Sequence, residues 1–149
     1  MNDEGIKQRV AAKAVIESEG GILALHPSAI DTNRNWHIPG GIRDTLSEPL
    51  QQTAVREVME ETGWEIDDLV LFRINDNPGR PKEDRQNIDF IFIAKAINRT
   101  GSHDDEVREV KWFPLGDLPP MDQIAFDHGE DLEMYLKHLK IPMTLPILG

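Results

Sequence analysis

The chain has 149 residues, a length suited to one domain with an ordinary core, and 39% hydrophobic and 29% charged residues, as in globular proteins. Its net charge of −11 opposes lasting contact with a nucleic-acid backbone, and zero cysteines exclude disulfides, thiolate metal sites and a cysteine nucleophile. No apolar run approaches the roughly 20 residues needed to cross a bilayer, and "MNDEGIKQRV" lacks the apolar stretch of a secretory signal, so no membrane association and a cytoplasmic location are expected. In chain order, "RVAAKAVIES" and "GGILALHPS" predict two strands joined by a Gly-Gly turn. "AIDTNRN" predicts a loop, "WHIPGG" a short apolar approach to a glycine pair, and "IRDTLSE" a further loop. Ser47 is expected to cap a helix running from about Glu48 to Thr62, with Pro49 in its first turn and Gly63 as its stop. "LVLFRIND" predicts a strand, and "NIDFIFIAKAI" a strand so continuously apolar that it belongs at the centre of a sheet. After the acidic turn "NRTGSHDDE", "VREVKWFPL" predicts another strand, followed by a helix over about Asp127 to Leu139. The apolar tail Ile141 to Leu148 is expected to dock on its own domain or on a second subunit, as in a homodimer. Strands, helix, strands, helix is the order of an α+β chain with a mixed sheet, expected as one domain over residues 1–149.

The helix carries the densest chemistry. In "REVMEETG", Glu57 lies three and four residues before Glu60 and Glu61, so the three carboxylates are expected on one face, with Val55, Val58 and Met59 opposite. Like charges at these spacings each cost an isolated helix roughly 0.2–0.5 kcal/mol. No cation follows at i+4 to relieve them, so a divalent ion is the expected compensation. A helix fixes the separation of hard oxygen ligands, which suits Mg²⁺ or Mn²⁺, and Gly40 and Gly41 let backbone approach such a site without a Cβ.

"GGIRDTLSEPLQQTAVREVMEETGW" resembles the signature of the Nudix hydrolase family, G-x5-E-x7-R-E-U-x-E-E-x-G-U, where U is a bulky apolar residue. Glu48, Arg56, Glu57, Val58, Glu60, Glu61, Gly63 and Trp64 stand in register, and one extra residue separates Gly41 from Glu48. The resemblance implies an α/β/α sandwich around a mixed central sheet and a Mg²⁺- or Mn²⁺-dependent hydrolase of phosphoanhydrides. It implies Glu57, Glu60 and Glu61 as metal ligands, joined by a glycine carbonyl, for which Gly41 is the choice with Gly40 behind it. Arg56 would orient a glutamate, and Glu48 would brace the loop or bind through water. For the general base, Glu106 of the acidic loop Asp104, Asp105 and Glu106 is the choice, with Glu109 behind it and Glu60 as its competitor.

"NPGRPKEDR", "EVREVKWFPLGDLPP" and "IAFDH" together resemble the ADP-ribose pyrophosphatase branch, whose members cleave nucleoside-diphosphate sugars and related dinucleotides. Arg80 and Arg85, with Lys82 between them, would then grip a diphosphate or terminal ribose phosphate. The expected partner is thus a small nucleotide-diphosphate substrate. The alternatives are a nucleoside triphosphate pyrophosphohydrolase and an inactive nucleotide-binding sensor of the same fold. Isopentenyl diphosphate isomerisation, which the family performs with a cysteine, is excluded by composition, and RNA decapping is disfavoured by charge. Trp64, Trp112 and Phe113 are expected in the core, Trp36 beside the glycine pair is expected to close the core edge with stacking on a base as the alternative, and five scattered histidines give no zinc pattern.

Overall fold

A computed structural model describes residues 8–27, 35–80 and 87–149. Its elements are β1 (Arg9–Ser18), β2 (Gly21–Pro27), β3 (Gly40–Ile42), α1 (Leu50–Thr62), β4 (Trp64–Asn75), β5 (Asn87–Arg99), β6 (Val107–Pro114), α2 (His128–Lys140) and β7 (Ile147–Leu148). The strands form one mixed sheet in the order β6-β2-β1-β5-β4-β7, with β3 also paired to β1. β1 runs parallel to β5 and β4 parallel to β7, and the remaining pairs are antiparallel. The apolar strand β5 is central, between β1 and β4, as its composition requires.

The two-residue alternation of β1 separates the layers. Val15 packs with Ile22, Phe72 and Ile91 against Leu132 and Tyr135 of α2. Its neighbours Ala14 and Ile16 pack with Leu23 and Ala94 against Val58 of α1. One helix therefore covers each face, giving the α/β/α sandwich.

Three local expectations are corrected. Ser47 does not cap α1: Pro49 takes that position in an extended conformation, and the Thr53 N–H donates to the Pro49 carbonyl. A proline pushes the residue before it out of helical dihedrals, so Glu48 stays outside the helix. Ser47 is exposed, its hydroxyl 3.2 Å from that of Thr45. Ile42 lies in β3, not in a loop, because the glycine pair forms a short ladder with Ala12 and Lys13. β4 begins at Trp64, five residues before the apolar run. Its acidic start, Glu65, Asp67 and Asp68, follows an irregular register with Asp68 at positive φ, so alternation alone conceals it. The stop at Gly63 is as expected, with φ 76° and its N–H donated to Met59 O. The tail docks on its own sheet, where the Gly149 N–H donates to Ile74 O and the Gly149 carbonyl accepts from Arg73 Nη2 at 2.8 Å.

Candidate active site

α1 does not present its three glutamates alike. Thr53, Ala54, Val58 and Thr62 form its buried stripe, while Val55, expected in that stripe, is 38% exposed. Glu57 and Glu61 flank the stripe and turn inward toward β3, and the Glu60 side chain is 52% exposed. Within the chain, Arg56 supplies one compensating cation. Its Nε and Nη2 donate to Glu48 Oε2 and Oε1 at 2.9 and 3.0 Å, a two-pronged pairing matched to its planar fork. Its Nη1 donates to Glu57 Oε1 at 2.9 Å and lies 3.4 Å from Glu60. Thr53 Oγ1 donates to the same Glu48 carboxylate at 2.7 Å, and these bonds hold its pKa down at about 2. Glu48 therefore ties the loop before α1 to the helix, the bracing contact that the resemblance implied.

At Glu57 and Glu61 burial outweighs the relief. Burial raises the pKa of both, opposed at Glu57 by Arg56 and at Glu61 by the Gly40 N–H, which donates to Glu61 Oε1 at 2.8 Å. Glu61 is pushed up to about 8, with the Glu57 and Asp104 carboxylates adding to the burial. Gly41 lies directly against Glu57, and a Cβ there would collide with the Glu57 carboxylate. The β1–β3 ladder distinguishes the two glycines. Bonds from the Ala14 N–H to Pro39 O and from the Arg43 N–H to Val10 O set the alternation, so the peptide groups of Gly41 face Ala12. The Gly40 carbonyl is the one turned away from β1. Of the two glycine carbonyls, that of Gly40 is therefore the one free of the β1–β3 ladder.

Among the described residues no three acidic or histidine side chains converge closely enough to hold an ion as they stand. The donor set is two carboxylates and a backbone carbonyl. That set fits Mg²⁺, which keeps several waters and is commonly held by one or two carboxylates plus substrate phosphates. A divalent ion beside a buried carboxyl raised to about 8 and a second carboxylate would favour the ionised form of both.

The acidic loop is bonded to the helix through the Asp104 N–H, which donates to Glu60 O at 3.2 Å. The loop carboxylate whose charge bears on Glu61 is Asp104. Glu106 is exposed, its N–H held by Asp104 Oδ1 at 3.1 Å, and Glu109 is exposed in β6 opposite His26.

Arg80 is corrected outright. It is 4% exposed, and its guanidinium donates to Asp127 Oδ2 at 2.8 Å, Asp127 Oδ1 at 3.1 Å, Asp89 Oδ2 at 2.7 Å and the Asn87 carbonyl at 3.1 Å. It closes a buried polar cluster instead of gripping a phosphate. Arg85 and Lys82 lie outside the described residues. The same cluster holds Lys13, 2.8 Å from both Asp89 Oδ2 and His128 Nε2, and Asn75, which donates to Asp127 Oδ2 at 2.9 Å. The His128 Nδ1 accepts the Ile38 N–H at 3.0 Å, and burial, with the Lys13 charge beside it, keeps this ring neutral. Spacing alone does not reveal these residues. Asp89, one acid inside "NIDFIFI", is the signal that a buried cation faces β5.

A NUDIX domain family model matches residues 7–133, most of the chain. The ADP-ribose pyrophosphatase of Methanocaldococcus jannaschii is 27% identical over 128 residues, covering 86% of this chain and 73% of that protein. The m7GpppN-mRNA hydrolase dcap-2 of Caenorhabditis elegans is 26% identical over 142 residues, covering 90% of this chain, which spans only 16% of that longer protein. A NUDIX hydrolase crystal structure from Nitrosomonas europaea superimposes with a TM-score of 0.79 at 24% identity, covering 96% of this chain and 78% of that one.

Proposed function

The chain belongs to the Nudix family and is a pyrophosphohydrolase of that family, and from this premise we propose that it cleaves a nucleoside diphosphate linked to a second moiety, ADP-ribose first among them, with Mg²⁺ as cofactor. The observation that carries the metal site is the inward pair Glu57 and Glu61 beside Gly40, with Glu57 held by Arg56, itself paired to Glu48, and Glu61 held by the Gly40 N–H. The M. jannaschii relative supports the substrate. The −11 charge favours a small nucleotide over a long RNA, since a polyphosphate backbone asks for clustered cations.

Glu57, Glu61 and the Gly40 carbonyl would hold the ion. When bound, a divalent ion acidifies water and neutralises charge developing on the phosphate oxygens. Arg56 fixes the orientation of Glu57 and keeps Glu48 ionised. Glu60, exposed and weakly held at 3.4 Å from Arg56, is free to swing and accept the proton of the attacking water, ahead of Glu106 in this role because it already stands on α1. Water adds hydroxide to one phosphorus as the bridging oxygen leaves with the other, so ADP-ribose yields AMP and ribose 5-phosphate. The glycine pair leaves backbone approach open at the reacting end.

Glu57→Gln tests the assignment. It keeps the size of the side chain and the Arg56 contact while removing a charge, so turnover is expected to fall by more than about 100-fold with the melting temperature preserved. Full activity in that variant would overturn the role of Glu57 as a metal ligand. Nucleotide binding without any turnover by the unaltered protein would favour the sensor.

A further inference from the structure

Between the C-terminal end of α1 and the outer strand β6 lies a cleft of about 320 Å³, and none of its lining residues belongs to the set proposed to hold the metal. Strand alternation builds it. Val110 and Trp112 share one face of β6 with Arg108, and Leu23 stands opposite Trp112 in register, so an apolar floor meets a cationic edge. Trp64 closes the wall in edge-to-face contact with Trp112, ring centroids 5.3 Å apart. Arg99, the register partner of Trp64, and His103 complete the rim. Glu109 also lines the cleft but alternates to the opposite face of β6. Two arginines and a histidine thus collect around paired indoles in a chain with 27 acidic residues against 16 lysines and arginines.

We propose that this cleft is a second binding site, for a molecule joining an aromatic ring to a phosphate, of mononucleotide size. Small-ligand pockets begin at about 300 Å³, a size the cleft meets. The ring lies against Trp64 and Trp112, since indoles stack bases with little sequence preference. The phosphate sits between Arg99 and Arg108, whose planar guanidinium groups pair with phosphate oxygens in two-pronged fashion. The helix end nearby does not repel the anion with open carbonyls at Gly63, because the Thr100 and Gly101 N–H groups both donate to Gly63 O. These bonds, with that from Asp104 to Glu60 O, make residues 100–106 a strap across the end of α1. His103 faces the cleft, and the next residue, Asp104, bears on Glu61, so an occupant orders the strap that borders the proposed metal site.

AMP is the probe, used with EDTA so that no divalent ion recruits it to Glu57 and Glu61. The chain has three tryptophans, and a Trp36→Phe background leaves emission to Trp64 and Trp112 alone. Saturable quenching by AMP is expected, weaker with adenosine, together with slowed amide exchange over residues 100–106. Arg99 and Arg108 are exposed, so the double variant Arg99→Ala/Arg108→Ala keeps the fold and should weaken AMP binding at least about tenfold. Absence of quenching, or quenching unchanged in the double variant, overturns the site. Equal protection of the strap by inorganic phosphate alone overturns the part assigned to the ring. Because EDTA silences metal-dependent turnover, either outcome is independent of the hydrolytic assignment.

Discussion

At Glu61, burial and charge work against each other. The folded protein holds its proton up to about pH 8, whereas the unfolded chain releases it near the ordinary 4.5, so its contribution to stability is complete below about pH 4.5 and is lost as pH rises through about 8. Asp131, raised to about 7 by burial beside Arg73, acts with the same sign. His128, buried and neutral, acts with the opposite sign, gaining stability as pH rises through the unfolded value of 6.5, so the Glu61 part is read as a difference: from pH 5 to pH 8 in EDTA the melting temperature of the unaltered protein is expected to change less favourably than that of Glu61→Gln. Mg²⁺ should raise the melting temperature more at pH 8 than at pH 5, because it displaces the proton. The same pH 5 to pH 8 change in both proteins would contradict a buried, protonated Glu61. Arg56 supplies the second test. Lysine cannot reproduce its fork onto Glu48 and Glu57, so Arg56→Lys should lower turnover by about 10–100-fold with little change in fold. Arg80 supplies the third. Its removal strands Asp127 without its cation and leaves Asp89 to Lys13 alone, so Arg80→Ala should cost about 3–5 kcal/mol in denaturant unfolding. A phosphate-gripping arginine would instead raise KM and leave stability alone. At this scale spacing located Glu48, Arg56 and the α1 glutamates, because a helix converts spacing into direction. It misplaced Arg80, because nothing local shows that a loop arginine will meet Asp89 and an aspartate forty-seven residues later.

The elements were legible where one periodicity ran unbroken. β1, β5, β6 and both helices lie within a residue or two of their expected bounds, and Gly63 ends α1 where a left-handed residue was needed. The misses are places where tertiary pairing overrides the local pattern. β3 has three residues, too few for any alternation, and exists because β1 offers Ala11 to Lys13 as a partner. The polarity of α1 shows the limit of a helical wheel. The wheel put Glu57, Glu60 and Glu61 together, but the sheet takes in the side bearing Glu57 and Glu61, leaving Glu60 to solvent and Val55 exposed. The contact between β3 and α1 can be tested directly. Gly41→Ala would drive its Cβ into the Glu57 carboxylate, so Mg²⁺ affinity measured by calorimetry should fall at least about tenfold. Unchanged affinity would mean that Glu57 takes no part in holding the ion.

Over the whole molecule, the sandwich explains why these parts meet. α1 lies across β1, β3 and β4, and β3 hangs on the half of β1 that β2 leaves uncovered, so the glycine pair comes up beneath the helix. The mixed sheet with helices packed on it followed from element order and the α/β/α sandwich from the family resemblance, whereas the buried cluster around Lys13, Asp89, Arg80 and Asp127 joins separate segments and has no linear signature. Net charge also acts at this scale: an acidic molecule that works on an acidic substrate needs a cation at the point of contact, and the inward carboxylates are where it would sit. The most direct measurement is product analysis by chromatography after incubation of the protein with Mg²⁺ and a panel of ADP-ribose, NADH, diadenosine polyphosphates, nucleoside triphosphates and a nucleotide sugar, against an EDTA control. AMP and ribose 5-phosphate are expected from ADP-ribose, appearing only with the metal. Release of products from triphosphates alone, or equal release in EDTA, would contradict metal-dependent cleavage of a nucleoside diphosphate.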